Sequence, residues 1–142
     1  MSQKTNDSHN ANIQYDYASI PYGDVFLAAE TAHGLPKFLL VEVARAESQF
    51  NIYAKSPAGA QGIMQIVPKW HPGVDPYDPN AAIFYAANYL KQLYNKTGSW
   101  QGALGAYNWG IGNLEKYGWG RAPAETRNYV AKISARLPYS LS

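Results

Sequence analysis

Pro68, Pro72, Pro76 and Pro79 crowd one short stretch of this chain, and no other feature restricts its fold as much. Each proline fixes φ and removes a backbone donor, so neither a helix nor a central strand can cross residues 67–78. Pro79 can only open an element, and the residues after it run without Gly or Pro as far as Gly98. This predicts a long helix from Pro79 to about Lys96. The same punctuation parses the remainder. Asp24 is positioned to cap a helix through His33 that Gly34 closes, and Pro36 sits in the first turn of a second helix running to about Ser48. Residues 56–66 hold too many glycines for more than one short turn and read as a shaped loop. Ser99 caps a helix to about Tyr107, Gly110 and Gly112 make a turn, and Pro123 starts a last helix that ends before Pro138. Period-2 alternation is absent, so the fold class reads as all-α, or α+β at most through a minor β element.

With 142 residues the chain suits one domain with its own core. Residues 1–20, rich in Asn, Ser, Gln and Asp, read as a flexible arm, and 21–142 as a single domain. Hydrophobic residues make 46% and charged residues 15%, which excludes disorder of the whole chain. A net charge of +2, scattered along the sequence, gives no footprint for nucleic acid or an anionic membrane. The absence of cysteine excludes disulfides, thiolate metal sites and a Cys nucleophile. Tyrosine, at 12 residues against 4 Phe, is in excess. Its amphipathic ring suits a saccharide cleft, and equally a small core whose hydroxyls reach water.

On a helical wheel of about 100° per residue, Leu39, Val43, Ala46 and Phe50 line one side of an apolar sector, and Leu40 and Ala44 its other edge. Glu47 falls near the middle, while Glu42, Arg45 and Gln49 gather on the opposite, solvated face. An ionised, unpaired carboxylate inside would cost several kcal/mol, so Glu47 is paired, protonated or at the floor of a cleft. Its place in the last turn, at the negative end of the helix dipole, also favours the neutral form. That is what a general acid for glycoside cleavage requires. A structural Glu tied to a buried Arg or a backbone N–H satisfies the wheel equally well.

Glu47-Ser48 is followed by Phe50, Ser56, Gly59-Ala60, Gly62-Ile63-Met64-Gln65, Ala106-Tyr107-Asn108-Trp109-Gly110 and Glu125-Thr126-Arg127-Asn128-Tyr129-Val130. In this order and spacing the set resembles the soluble lytic transglycosylase family (SLT domain), from about Leu35 to Leu137. The resemblance implies a lysozyme-like α fold and cleavage between N-acetylmuramic acid and N-acetylglucosamine in peptidoglycan, leaving a 1,6-anhydromuramoyl end. It makes Glu47 the catalytic acid and then base, with Ser48 in the same motif and Ser56 at the sugar whose bond breaks. Met64 and Gln65 line the cleft at N-acetyl groups, and Tyr107 and Asn108 hydrogen-bond the sugar and the carboxyl. Glu125 and Tyr129 are further lining residues. The family's Asn and Gly on the helix from Pro79 are replaced by Ala82 and Ala86, and the stretch from Trp70 to Asn80 is not the usual one.

A typical glycosidase needs a second carboxylate, and Asp75, Asp78 and Glu115 offer no obvious partner. In a transglycosylase the substrate's acetamido oxygen and C6 hydroxyl take that place. Of the tryptophans, Trp70, Trp100, Trp109 and Trp119, any is a sugar platform in principle. Trp100 reads as core and Trp109, beside Tyr107-Asn108, as the one near substrate. His9, His33 and His71 lack ligand spacing and read as surface or arm residues, not a zinc site. Asp75, Asp78 and Asn80 read as turn signals, not a calcium loop. No cofactor or metal is expected. The partners are glycan strands bound by a monomer, with no nucleic acid and no membrane insertion. A goose-type muramidase that adds water, and a non-catalytic wall-binding module, are the rival readings. The first twenty residues contain no signal-peptide run, although the substrate lies in the periplasm or wall. Either a leader has been removed or a phage lysis, virion or secretion machine delivers the protein.

Overall fold

Gly34 stops the first helix as the sequence predicts. It sits in the left-handed region at φ 67° and returns its N–H to the Glu30 and Thr31 carbonyls, closing α1 (Gly23–His33). In the computed structural model, which describes residues 15–141, the helix starts after Tyr22 and not at Asp24. Asp24 lies in the first turn, its carboxylate accepting from the Val25 N–H. The second helix, α2 (Leu39–Ser48), starts later than Pro36 suggests, because Pro36–Phe38 form a turn. Phe38 at the N-cap offers no side-chain acceptor. Glu30 of α1 supplies it, accepting from the N–H groups of Phe38 at 3.0 Å and Leu40 at 2.9 Å. Tyr17 donates its hydroxyl to the same carboxylate and stacks on Phe38, centroids 4.3 Å apart.

Part of the expected arm is therefore folded. Residues 17–19 form a short 3-10 turn capped by Asp16 and held to α1 and α2 through Tyr17. The rest of that arm, residues 1–14, and with it His9, lies outside the described residues.

α2 corrects the wheel. Leu39, Leu40, Val41, Glu42, Val43 and Ala44 are all buried, so its first half is enclosed on every side. Glu42 is 1% exposed and paired with Arg45 at 3.1 Å, not solvated. Phe50 is beyond the helix, at φ 64°, packed edge-on to Phe26 with the Arg45 guanidinium over its ring. The shaped loop contains the minor β element: single antiparallel bridges pair Lys55 with Gln61 and Gln61 with Ile66. No strand forms among the described residues. After the proline stretch, α3 (Pro79–Thr97) buries Ala82, Ile83, Ala86, Ala87, Leu90 and Leu93, so the alanines at 82 and 86 serve packing.

Residues 16–89 cluster as one compact unit, and residues 90–141 with Tyr15 as another. In the second, Ser99 caps α4 (Trp100–Trp109) by accepting from the Gly102 N–H at 2.9 Å. Trp100 is core, as expected, stacked on Tyr94. The turn expected across Gly110 and Gly112 is confined to Gly110, and Gly112 lies inside a further helix, α5 (Ile111–Tyr117). A 3-10 turn (Trp119–Arg121) then lays the Trp119 indole on α4 where only glycine fits: a Cβ on Gly105 would sit 2.6 Å from the ring. α6 (Ala124–Arg136) packs on α4 through Thr126, Val130 and Ile133.

Candidate active site

Glu47 occupies the last turn of α2 and is half-buried, while the fully buried carboxylates of its unit are Glu30 and Glu42. The wheel had singled out Glu47 as the inward carboxyl. The structure puts it where the helix leaves the core. Burial raises the Glu30 carboxyl above its ordinary 4.5, opposed in part by its hydrogen bonds from Tyr17, Phe38 and Leu40.

Behind Glu47 the backbone is strained. Gln49 and Phe50 follow in succession at φ 52° and 64°, and Gln65 lies at φ 52°, conformations that cost of order 1 kcal/mol for a side chain with a Cβ. Ser48 anchors this turn. Its hydroxyl donates to the Ile63 carbonyl at 2.7 Å, tying the end of α2 to the Gly62–Gln65 turn. Gln65 in turn donates its amide to the carbonyls of Gly62 at 3.0 Å and Ala54 at 3.2 Å, which leaves Oε1 as its acceptor. Ser56 accepts from the Ala60 N–H at 3.0 Å and so shapes the loop. Met64 departs from its expected place on a cleft wall, because its side chain is completely buried in the core. An unbranched thioether between Ile63 and the strained Gln65 fills the space beneath the turn.

The proline stretch is pinned by a residue read as a surface histidine. His71 is half-buried, its Nδ1 2.7 Å from the Tyr85 hydroxyl and its ring edge-on to Tyr85 and Tyr89 of α3. Burial holds the imidazole below its usual 6.5 and pushes the Tyr89 phenol up. Asp75 and Asp78 accept from the N–H groups of Tyr77 and Ala81, as turn and helix-start residues do. No cluster of three metal-ligating side chains forms among the described residues.

In the second unit, Tyr107, Asn108 and Trp109 are half-buried in the last turn of α4. Asn108 Oδ1 accepts from the buried Thr126 hydroxyl of α6 at 2.8 Å, which leaves its NH2 group as a donor. Thr126 belongs to the motif block of residues 125–130, where the sequence gives it no site role of its own; its buried hydroxyl on α6 must find an acceptor, and Asn108 is within reach. Trp109 packs against Tyr117 with centroids 6.1 Å apart. Glu125 is exposed in the first turn of α6, where its charge suits the helix dipole, and Tyr129 is half-buried one turn further on.

Residues 24–130 match the family profile of the transglycosylase SLT domain. The chain belongs to that family. Among its relatives, the soluble lytic murein transglycosylase of Escherichia coli K12 is 30% identical over 147 residues, covering 84% of this chain and 23% of that protein. The transglycosylase of Enterobacteria phage PRD1 is 30% identical over 113 residues, covering 78% of this chain and 40% of the phage protein. The crystal structure of the 70 kDa soluble lytic transglycosylase from Escherichia coli superposes with a TM-score of 0.71 at 30% identity, over 81% of this chain and 23% of that one. The lysozyme-like helical fold is thus shared. The chain spans about a quarter of the length of the Escherichia coli relative.

Proposed function

We propose that this domain cleaves the β-1,4 bond between N-acetylmuramic acid and N-acetylglucosamine in peptidoglycan as a lytic transglycosylase, acting as a monomer at the cell wall. The supporting observation is the attachment of the Glu47 turn, through Ser48, to the Gly62–Gln65 turn in a chain of the SLT family. Glu47 protonates the glycosidic oxygen as the bond to C1 of the muramoyl residue breaks. The acetamido oxygen of that residue stabilises the positive C1, and its own C6 hydroxyl then attacks. Glu47 takes the hydroxyl proton, so that the carboxyl is restored and no water is consumed. A single carboxylate suffices for this route. It fits the first unit, in which Glu30 is committed to backbone N–H groups and Glu42 to Arg45.

The remaining candidates orient the strand. Gln65 offers Oε1 to an acetamido N–H, and Ser56 keeps its hydroxyl proton for a sugar oxygen. Asn108 offers its NH2 group, with Tyr107, Trp109, Glu125 and Tyr129 as further contacts. The likeness to a phage transglycosylase favours delivery to the wall by a phage. Mass spectrometry of fragments released from purified peptidoglycan tests the reaction. The expected main product ends in 1,6-anhydro-N-acetylmuramic acid, lighter by one water than a reducing end. Reducing ends as the main product would make the domain a muramidase, and no release at all would leave the wall-binding reading.

A further inference from the structure

Glu47 sits in the last turn of α2, where a helix frays most readily, and the chain leaves it by an unfavourable route. Gln49 at φ 52° and Phe50 at φ 64° are consecutive left-handed residues that both carry a Cβ, so contacts outside the turn must impose them. Backbone bonds supply part of this: the Gln49 N–H donates to the Arg45 carbonyl at 3.0 Å, and the Asn51 N–H to the Ser48 carbonyl at 3.1 Å. The Gln49 side chain is exposed, whereas the Phe50 ring packs inward. It meets the completely buried Phe26 edge-on, centroids 6.1 Å apart, and the Arg45 guanidinium covers it at 5.0 Å from the ring centroid. The guanidinium is itself held. Its Nε donates to both carboxylate oxygens of Glu42, at 3.1 and 3.3 Å, and Glu42 is 1% exposed.

We infer that Arg45 is a positioning residue for the proposed reaction: through Phe50 it holds the left-handed turn after α2, and so sets where the Glu47 carboxyl stands. The inference rests on the proposed function, which makes Glu47 the acid. Its counterpart on the other side of the turn is the Ser48 hydroxyl on the Ile63 carbonyl. That anchor is firm, because the Pro76 carbonyl backs the same turn so closely that any Cβ on Gly62 would collide with it. The Phe50 side has only side chains to hold it, and a guanidinium suits the task. It is flat enough to lie over a ring while donating in its own plane to a carboxylate, which an ammonium on a flexible stem does not reproduce. Placement of this kind matters for a proton donor, since a displacement of about 1 Å costs up to about a hundredfold in rate. A second role for Arg45, as counter-ion to buried Glu42, would be met by lysine equally well.

Kinetics on soluble, uncrosslinked glycan strands, beside melting temperatures, test it. Arg45→Lys keeps the charge opposite Glu42 and removes the flat group from the ring; Phe50→Leu keeps an apolar side chain on Phe26 and removes the ring. Each is expected to lower kcat about tenfold with KM within about twofold, because the loss falls on the proton transfer and not on binding. The double variant is expected to be no slower than either single one, since the two side chains act as one unit. Ile83→Val trims the buried core of the same unit, and is expected to lower the melting temperature with kcat unchanged, which separates placement from stability. Wild-type kcat in folded Arg45→Lys overturns the inference, leaves Arg45 as a counter-ion and leaves the reaction standing. Losses that multiply to about a hundredfold in the double variant also overturn it, because the two side chains would then act separately. Wild-type protein that does not cleave the strands overturns the proposed function, and the role of Arg45 falls with it.

Discussion

A Gln at position 47 would keep the size and polarity of the Glu47 side chain at the end of α2 and remove its proton. General acid catalysis contributes about 10²–10⁴ in rate, so Glu47→Gln is expected to slow wall lysis by at least a hundredfold at an unchanged melting temperature. A turbidity assay beside thermal denaturation checks both halves, and full activity in the variant would take the acid away from Glu47. Asn108 calls for a paired experiment, because its Oδ1 braces α6 while its NH2 group remains as a donor. Asn108→Ala leaves the buried Thr126 hydroxyl without its acceptor, and Thr126→Val breaks the same bond while keeping Asn108. Each is expected to lose about 1–2 kcal/mol of stability. Only Asn108→Ala should lower the rate beyond what the lost stability explains, and equal rates in the two variants would reduce Asn108 to a brace.

Among the elements, α1 and α2 are joined by the Glu30 carboxylate, a residue that no motif or pattern in the sequence singles out. Glu30 titrates higher in the folded chain than in the unfolded one, so the folded state holds its proton more tightly. Its contribution to stability is complete below the ordinary value of 4.5 and is lost as pH rises through the folded pKa. The melting temperature of wild type relative to Glu30→Gln is therefore expected to fall over that rise. His71 runs the other way. Its folded pKa lies below 6.5, so its contribution is present above that value and lost as pH falls through the folded pKa, measured relative to His71→Phe. Curves with the opposite slopes would contradict the burial of either group. Helix existence was legible because Gly34, Gly98, Ser99 and Pro123 act locally, whereas α5 was hidden behind Gly112, which reads as a turn and costs an exposed helix about 1 kcal/mol. Glu42 was misplaced for a different reason. A wheel assumes one wet face, and the first half of α2 has none.

For the whole molecule, the fold class and family were readable from motifs in register, because spacing between blocks records how elements follow one another. What each motif residue does was less readable. Ser48, Ser56, Gln65 and Asn108 all spend hydrogen bonds on holding their own turns, and Met64 serves the core, so a motif letter does not separate a group that touches substrate from one that shapes the site. Since the chain spans about a quarter of its Escherichia coli relative, whether the domain suffices for lysis is itself a test. The purified 142-residue chain is expected to clear a suspension of bare peptidoglycan sacculi unaided. Failure on sacculi with turnover of soluble strands would mean that engaging intact wall needs more than this domain. The two fastenings of the Trp70 loop carry one more implication, for how such a domain diversifies. Because His71 is held by Tyr85 and the Pro76 carbonyl lies against Gly62, this loop is fastened from outside α2. Its sequence can therefore vary between relatives that keep those two fastenings, with Glu47 and its helix left untouched.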